Sequence, residues 1–476
     1  MKKLISLSFL LVCILTHAFA NNVTTSNVFL TGQNAASDFS LINYSITWEN
    51  SWRTSTNENN YDGCWIFAKF RKVNSDNWQH ATINYAAPGT AVACGHTQPA
   101  GSTIQTPADG KGIWMYRSAN GQGTVNWANA RIRWNYGVDG VLDNDSVEIR
   151  LFAVEMVYCP QSVFNLGSGG SETYHFRDGA VDTYFPITSE NSIACGPNAG
   201  NLWTSSGGTY WFTGTLPAAY PKGYKAVWCM KYEVSQQQYV DFLNTIDYNK
   251  YVNKAPLNNY NIAGTHPNLT AANPERAMSY ISCNDILSIL DWSALRPFSE
   301  LEYEKICRGG NQVPIANEYA WGNTTINDLA SPTNQGTSTE TWATGNCNFG
   351  TGTGSLPIRC GALATNATGR TASGATYYGV MEMSGNIWEW AVSAADVTGR
   401  AFDGSHGDGN LLSTGEHNMA LWPSAVSGAG WSIRGGGYYN AGNISLFAIS
   451  DRYYGSYSSL TKNAGNYGGR GCRTGE

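Results

Sequence analysis

Gly379-Val-Met-Glu-Met-Ser-Gly-Asn-Ile-Trp-Glu-Trp390 is the stretch on which the fold turns. An irregular loop ends in Ile387-Trp-Glu-Trp390, where Trp388 and Trp390 can fill a core while Glu389 bonds backbone N–H groups. Two further signatures follow in order, Ile433-Arg-Gly-Gly-Gly-Tyr-Tyr439 and the closing Gly468-Gly-Arg-Gly-Cys-Arg473.

Upstream lie the segments that read as helices. In Ser235-Gln-Gln-Gln238 the serine can cap backbone N–H groups while Gln238 reaches back, and Tyr239, Phe242, Leu243 and Ile246 then form one apolar stripe. Asn284 to Trp292 places Ile286, Ile289 and Leu290 on one side behind a Ser282 cap. Ser299 and Glu302 form a capping box ahead of Leu301, Tyr303 and Ile306. Tyr319-Ala-Trp-Gly-Asn323 comes next. Before all of these, Phe39–Trp48, Cys64–Phe70, Val125–Trp134 and Val147–Val157 alternate apolar and polar residues, or run apolar between turns, and predict an antiparallel sandwich.

Taken in order, the motifs from residue 216 to 473 resemble the formylglycine-generating enzyme (sulfatase-modifying factor) family. The resemblance implies a variant of the C-type lectin fold, so the expected class is α+β, with that domain preceded by an all-β sandwich. The expected organisation is a signal peptide at 1–20, a sandwich at 21–186, a linker at 187–215 and the family-like domain at 216–476. Lys2 and Lys3, the apolar run from Leu4 to Leu15 and Ala18-Phe19-Ala20 make up the export signal. They imply a secreted, periplasmic or cell-surface protein with no integral membrane segment after cleavage.

Composition narrows the function. Charged residues are only 13% of the chain and the net charge is -6, which supplies no clustered basic surface for nucleic acid or an anionic membrane. The family's oxidase chemistry, as the resemblance implies, uses two closely spaced thiolates to hold copper just after the Arg-Gly-Gly turn. Those positions read Asn440 and Ser445, and amide or hydroxyl oxygen does not replace sulfur for a soft monovalent metal. The mature histidines show no paired helical spacing for an iron site. Copper and iron are therefore not expected, and a non-catalytic binding or surface-structural module is favoured over a metal-dependent oxidase with atypical ligands.

The resemblance carries further expectations residue by residue. A structural calcium ion would be held by Glu382, the carbonyls of Gly385 and Ile387, and Glu389. The plainer alternative is that Glu389 only bonds backbone N–H groups. Cys307, in Cys307-Arg-Gly-Gly310, and Cys472 would form a disulfide, with two buried thiols as the alternative. The segment Gly437 to Tyr467, rich in Tyr, Asn, Ser and Gly, offers rigid amphipathic area beside adaptable hydrogen bonding. Tyr438, Tyr439, Asn440, Tyr453, Tyr454 and Tyr457 are its candidate contacts for a protein, peptide or glycan ligand. Asp451-Arg452 reads as a loop brace, and His406 as part of a solvated loop.

Overall fold

A computed structural model describes residues 23–205, 213–350, 356–365, 368–425, 428–461 and 465–475; the expected export signal lies outside the described residues. Strand (33%) outweighs helix (11%), so the chain is mostly β. Among the described residues, no helix is long and apolar enough to cross a membrane.

The first eight strands are β1 (Thr24–Asn34), β2 (Phe39–Arg53), β3 (Tyr61–Lys72), β4 (Gln79–His80), β5 (Ser102–Gln105), β6 (Ile113–Arg117), β7 (Gly121–Trp134) and β8 (Val147–Cys159). β2 runs antiparallel to both β1 and β7, while β3 pairs with β8 from Tyr61↔Tyr158 to Lys72↔Val147. β2 and β3 meet at a single ladder pair, Arg53↔Tyr61, so two ladders join at that corner. Side chains alternate across a strand, and the even positions Ile42, Tyr44, Ile46 and Trp48 of β2 share one core with Cys64, Ile66, Ala68 and Phe70 of β3.

The odd positions of β3 are buried as well. Trp65 and Phe67 belong to the larger core of the C-terminal half, and the Trp65 indole N–H donates to the Ser293 carbonyl at 2.8 Å. Burial on both faces explains why Cys64–Ala68 reads as an unbroken apolar run.

The sheet does not stop at the expected domain boundary. β8 pairs antiparallel with Val227–Met230, which pairs in turn with Cys472–Thr474 near the end of the chain. Lys231 is buried at this seam between Glu155 and Asp62, with the Trp52 ring 4.8 Å away. Residues 187–215 are also more than a connector. Ile193–Cys195, Leu202–Thr204 and Gly214–Leu216 join Phe176–Asp178 in a four-stranded sheet, and Leu202 and Leu216 are fully buried; 206–212 lie outside the described residues. Apolar residues spaced among glycines carry this small sheet, where the turn residues alone suggested a linker.

Four helices follow: α1 (Gln236–Leu243), α2 (Tyr248–Lys254), α3 (Cys283–Trp292) and α4 (Glu300–Arg308). Complete capping boxes open α1 (Ser235 with Gln238), α3 (Ser282 with Asp285) and α4 (Ser299 with Glu302). Every residue of α4 is buried. Its acids are matched inside the protein: Arg434 reaches Glu300 and Glu304, Arg452 reaches Glu300 at 2.9 Å, and Arg308 reaches Glu304 and Glu318.

Candidate functional site

The three C-terminal signatures are the three strands of one small sheet. Trp388–Val392 runs antiparallel to Trp431–Arg434 and parallel to Tyr467–Gly468. The loop before it is tightly seated. At Gly385, with φ +98°, a Cβ would lie 2.4 Å from the Cys347 Sγ, so no side chain fits.

Beneath this sheet is a buried acid cluster. Arg470 grips both oxygens of Glu389, at 2.7 Å each, with both side chains buried. Glu233 accepts the Asn386 amide at 2.5 Å and the Ile387 N–H at 3.3 Å. Glu382 accepts the Gly361 N–H at 2.8 Å through one oxygen, and its other oxygen is buried without a hydrogen-bond partner. Burial pushes the Glu382 carboxyl up to about 7 despite Arg470. Burial, together with Glu389 and Glu382, holds Glu233 well above the usual carboxylate range.

Above the sheet lies an aromatic array. Asn440 accepts the Trp388 indole N–H at 2.9 Å and the Gly437 N–H at 3.1 Å through the same oxygen. Trp388 meets Tyr454 edge-on, and Tyr454 meets both Tyr453 and Tyr457. The hydroxyls of Tyr457 and Tyr467 are 2.5 Å apart. Tyr174, from the N-terminal half, stacks near Tyr453 at 6.4 Å. Tyr453 is 45% exposed and Tyr439 is 55% exposed.

The remaining candidates divide. Tyr438 is buried and donates to the Gly465 carbonyl, so it supports the segment and offers no contact area. Ser445 donates to Asn443 at 2.6 Å on the surface. Asp451 and Arg452 do brace the loop, but separately: Asp451 accepts the N–H groups of Thr173 and Tyr453, while Arg452 turns inward to Glu300. The loop around His406 is docked rather than solvated, since His406 accepts the Thr474 N–H at 3.0 Å and Asp291 accepts the Asp408 N–H.

A family model described as the sulfatase-modifying factor enzyme 1-like domain matches residues 200–465, more than half of the chain. The chain belongs to the sulfatase-modifying factor family. No curated protein matches it.

Two residue sets expected of a sulfatase-modifying factor have definite surroundings in the structure. Calcium takes six to eight oxygens and needs available carboxylates. Here both Glu389 oxygens are committed to a guanidinium that stays charged, and among the described residues no group of three or more His, Cys, Asp or Glu could hold a metal. In this arrangement Arg470 neutralises Glu389, and the second Glu382 oxygen is the carboxylate oxygen left uncommitted near the loop. Cys307 and Cys472 are not bonded to each other in this structure. All ten described cysteines are free thiols. Cys472 sits opposite Cys229 in the central sheet with its sulfur against Arg296, whereas Cys307 lies on α4 next to the Arg308 that pairs with Glu304 and Glu318.

Sequence reading of this sulfatase-modifying factor domain missed Glu233, Asn386 and Arg470. Arg470 had a signal, standing between glycines in a quoted motif. Glu233 had none.

Proposed function

We propose that this chain is an exported, non-catalytic sulfatase-modifying factor whose C-type lectin-like domain binds a protein, peptide or glycan through the aromatic array. One observation carries the reading. Where the family's oxidase requires a copper-binding thiolate, the Asn440 amide oxygen is committed to Trp388 and Gly437, and a neutral amide oxygen does not hold a soft monovalent metal. Export rests on the sequence signature of residues 1–20.

The array suits recognition. Tyr453 and Tyr454 present flat, stiff rings with polar tips, held from behind by Trp388 and Tyr457. Such rings give contact area at low entropic cost. Mature protein incubated with copper and a cysteine-containing peptide is expected to show no oxygen uptake and no stoichiometric copper. Uptake would sink the non-catalytic reading. On oligosaccharide and peptide arrays, a Tyr453→Ala/Tyr454→Ala variant is expected to lose whatever the parent protein retains; undiminished retention would move the ligand site elsewhere.

A further inference from the structure

A second cleft lies away from the aromatic array, between the N-terminal sheet and the helices of the family domain. Its inner chamber, about 130 Å³, has Phe67, Phe152 and Val154 on the sheet side and Val234, Leu290 and Trp292 on the other. Ring centroids of Phe67, Phe152 and Trp292 lie 4.9–5.4 Å apart, so they brace one another as a preformed wall. An apolar cavity near this size takes one six-membered ring.

The chamber opens into an outer vestibule of about 300 Å³, and the two share Val23, Thr25, Ala153, Gln238 and Asp241. The ionisable residues lining the vestibule are both acids, Asp241 and Glu275, and no Lys, Arg or His lines either space. Asp241 stands at the junction, half-buried, with one oxygen accepting the Gln237 amide at 2.8 Å. Small-molecule sites have this form, an apolar pocket at a junction between structural units with few oriented polar groups. A charged ammonium drawn wholly into the chamber would lose its hydration, whereas one held at its mouth keeps water and gains the carboxylate.

We propose that this cleft binds a small aralkylamine, its ring in the chamber and its primary ammonium in the vestibule against Asp241. Nothing in the proposal depends on the aromatic array or on the loss of oxidase chemistry. The probe is phenethylamine, titrated calorimetrically into the full mature chain at pH 8, with 2-phenylethanol as the uncharged control. Saturable one-to-one binding is expected, at least tenfold tighter for the amine. Asp241→Asn is expected to reduce the amine to the level of the alcohol while leaving the alcohol unchanged. Val154→Phe, which fills the chamber, is expected to abolish both.

Magnetisation transfer between the probe's ring protons and Trp292 in the unmutated protein locates the ligand even if Val154→Phe fails to fold. Absence of saturable binding overturns the proposal. So does equal affinity for amine and alcohol, or saturation transfer that bypasses Trp292.

Discussion

Asn440 accepts the indole N–H of Trp388 at 2.9 Å, tying the turn after the Arg-Gly-Gly motif to the strand that carries Glu389. The same oxygen also takes the Gly437 N–H, so truncation strands two donors at once. Asn440→Ala is expected to cost about 1–2 kcal/mol in urea unfolding and to alter the near-ultraviolet circular dichroism of the tryptophans. An unchanged midpoint and spectrum would show that the amide is incidental.

Glu389 and Arg470 form an ion pair enclosed beneath the C-terminal sheet. Removing one partner leaves a buried charge, so Glu389→Ala is expected to destabilise by about 3–5 kcal/mol, and Glu389→Met with Arg470→Met by less. Because Arg470 occupies the role of the cation, a strong calcium chelator is expected to leave the melting temperature unchanged. A chelator-induced fall that calcium reverses would restore the metal.

Glu382 gives stability a pH slope. Burial raises its folded pKa from the ordinary glutamate value to about 7, so between those two values the native protein holds a proton that the unfolded chain has released. That contribution is present below the unfolded pKa and is lost as pH rises through about 7. Glu382→Gln keeps an acceptor for Gly361 and removes the titration. The variant is expected to be more stable than the parent at pH 8, by roughly 1–3 kcal/mol, with the gap closing towards pH 5. A gap that stays constant over that range would place the titration elsewhere.

Nine of the ten described cysteines are buried as free thiols, and Cys94 is half-buried. A chromogenic disulfide reagent is expected to react promptly with about one thiol in the native mature protein and with all of them after unfolding in urea. Reductant is expected to leave the melting temperature unchanged. Finding fewer than ten thiols in the unfolded mature chain would reveal a disulfide.

What the sequence revealed was local. The Ser235 and Ser299 capping boxes were readable because both partners lie within four residues, and the strands of the N-terminal half because alternation is a short-range pattern. The seam between the halves was not readable, since nothing in Val227–Met230 says that its neighbours are β8 and residues 472–474. Glu233 lies 153 positions from the Asn386 it binds, a pairing that only the closed fold selects. Among the tyrosines, composition marked the segment, but a loop without periodicity does not say that Tyr438 points inward and Tyr439 outward. Cysteine spacing revealed no connectivity, because sequence distance does not encode where a thiol points.

Val227–Met230 has one neighbour supplied early and the other by residues 472–474. As the ribosome works from the N-terminus, β8 and Val227–Met230 are finished long before the strand that completes them. An unpaired edge of Val227-Trp-Cys-Met230 stands open until Cys472 is made, the arrangement that invites wrong partners. A chain cut before Cys472 leaves that edge uncovered for good, the exposure through which copies pair with one another.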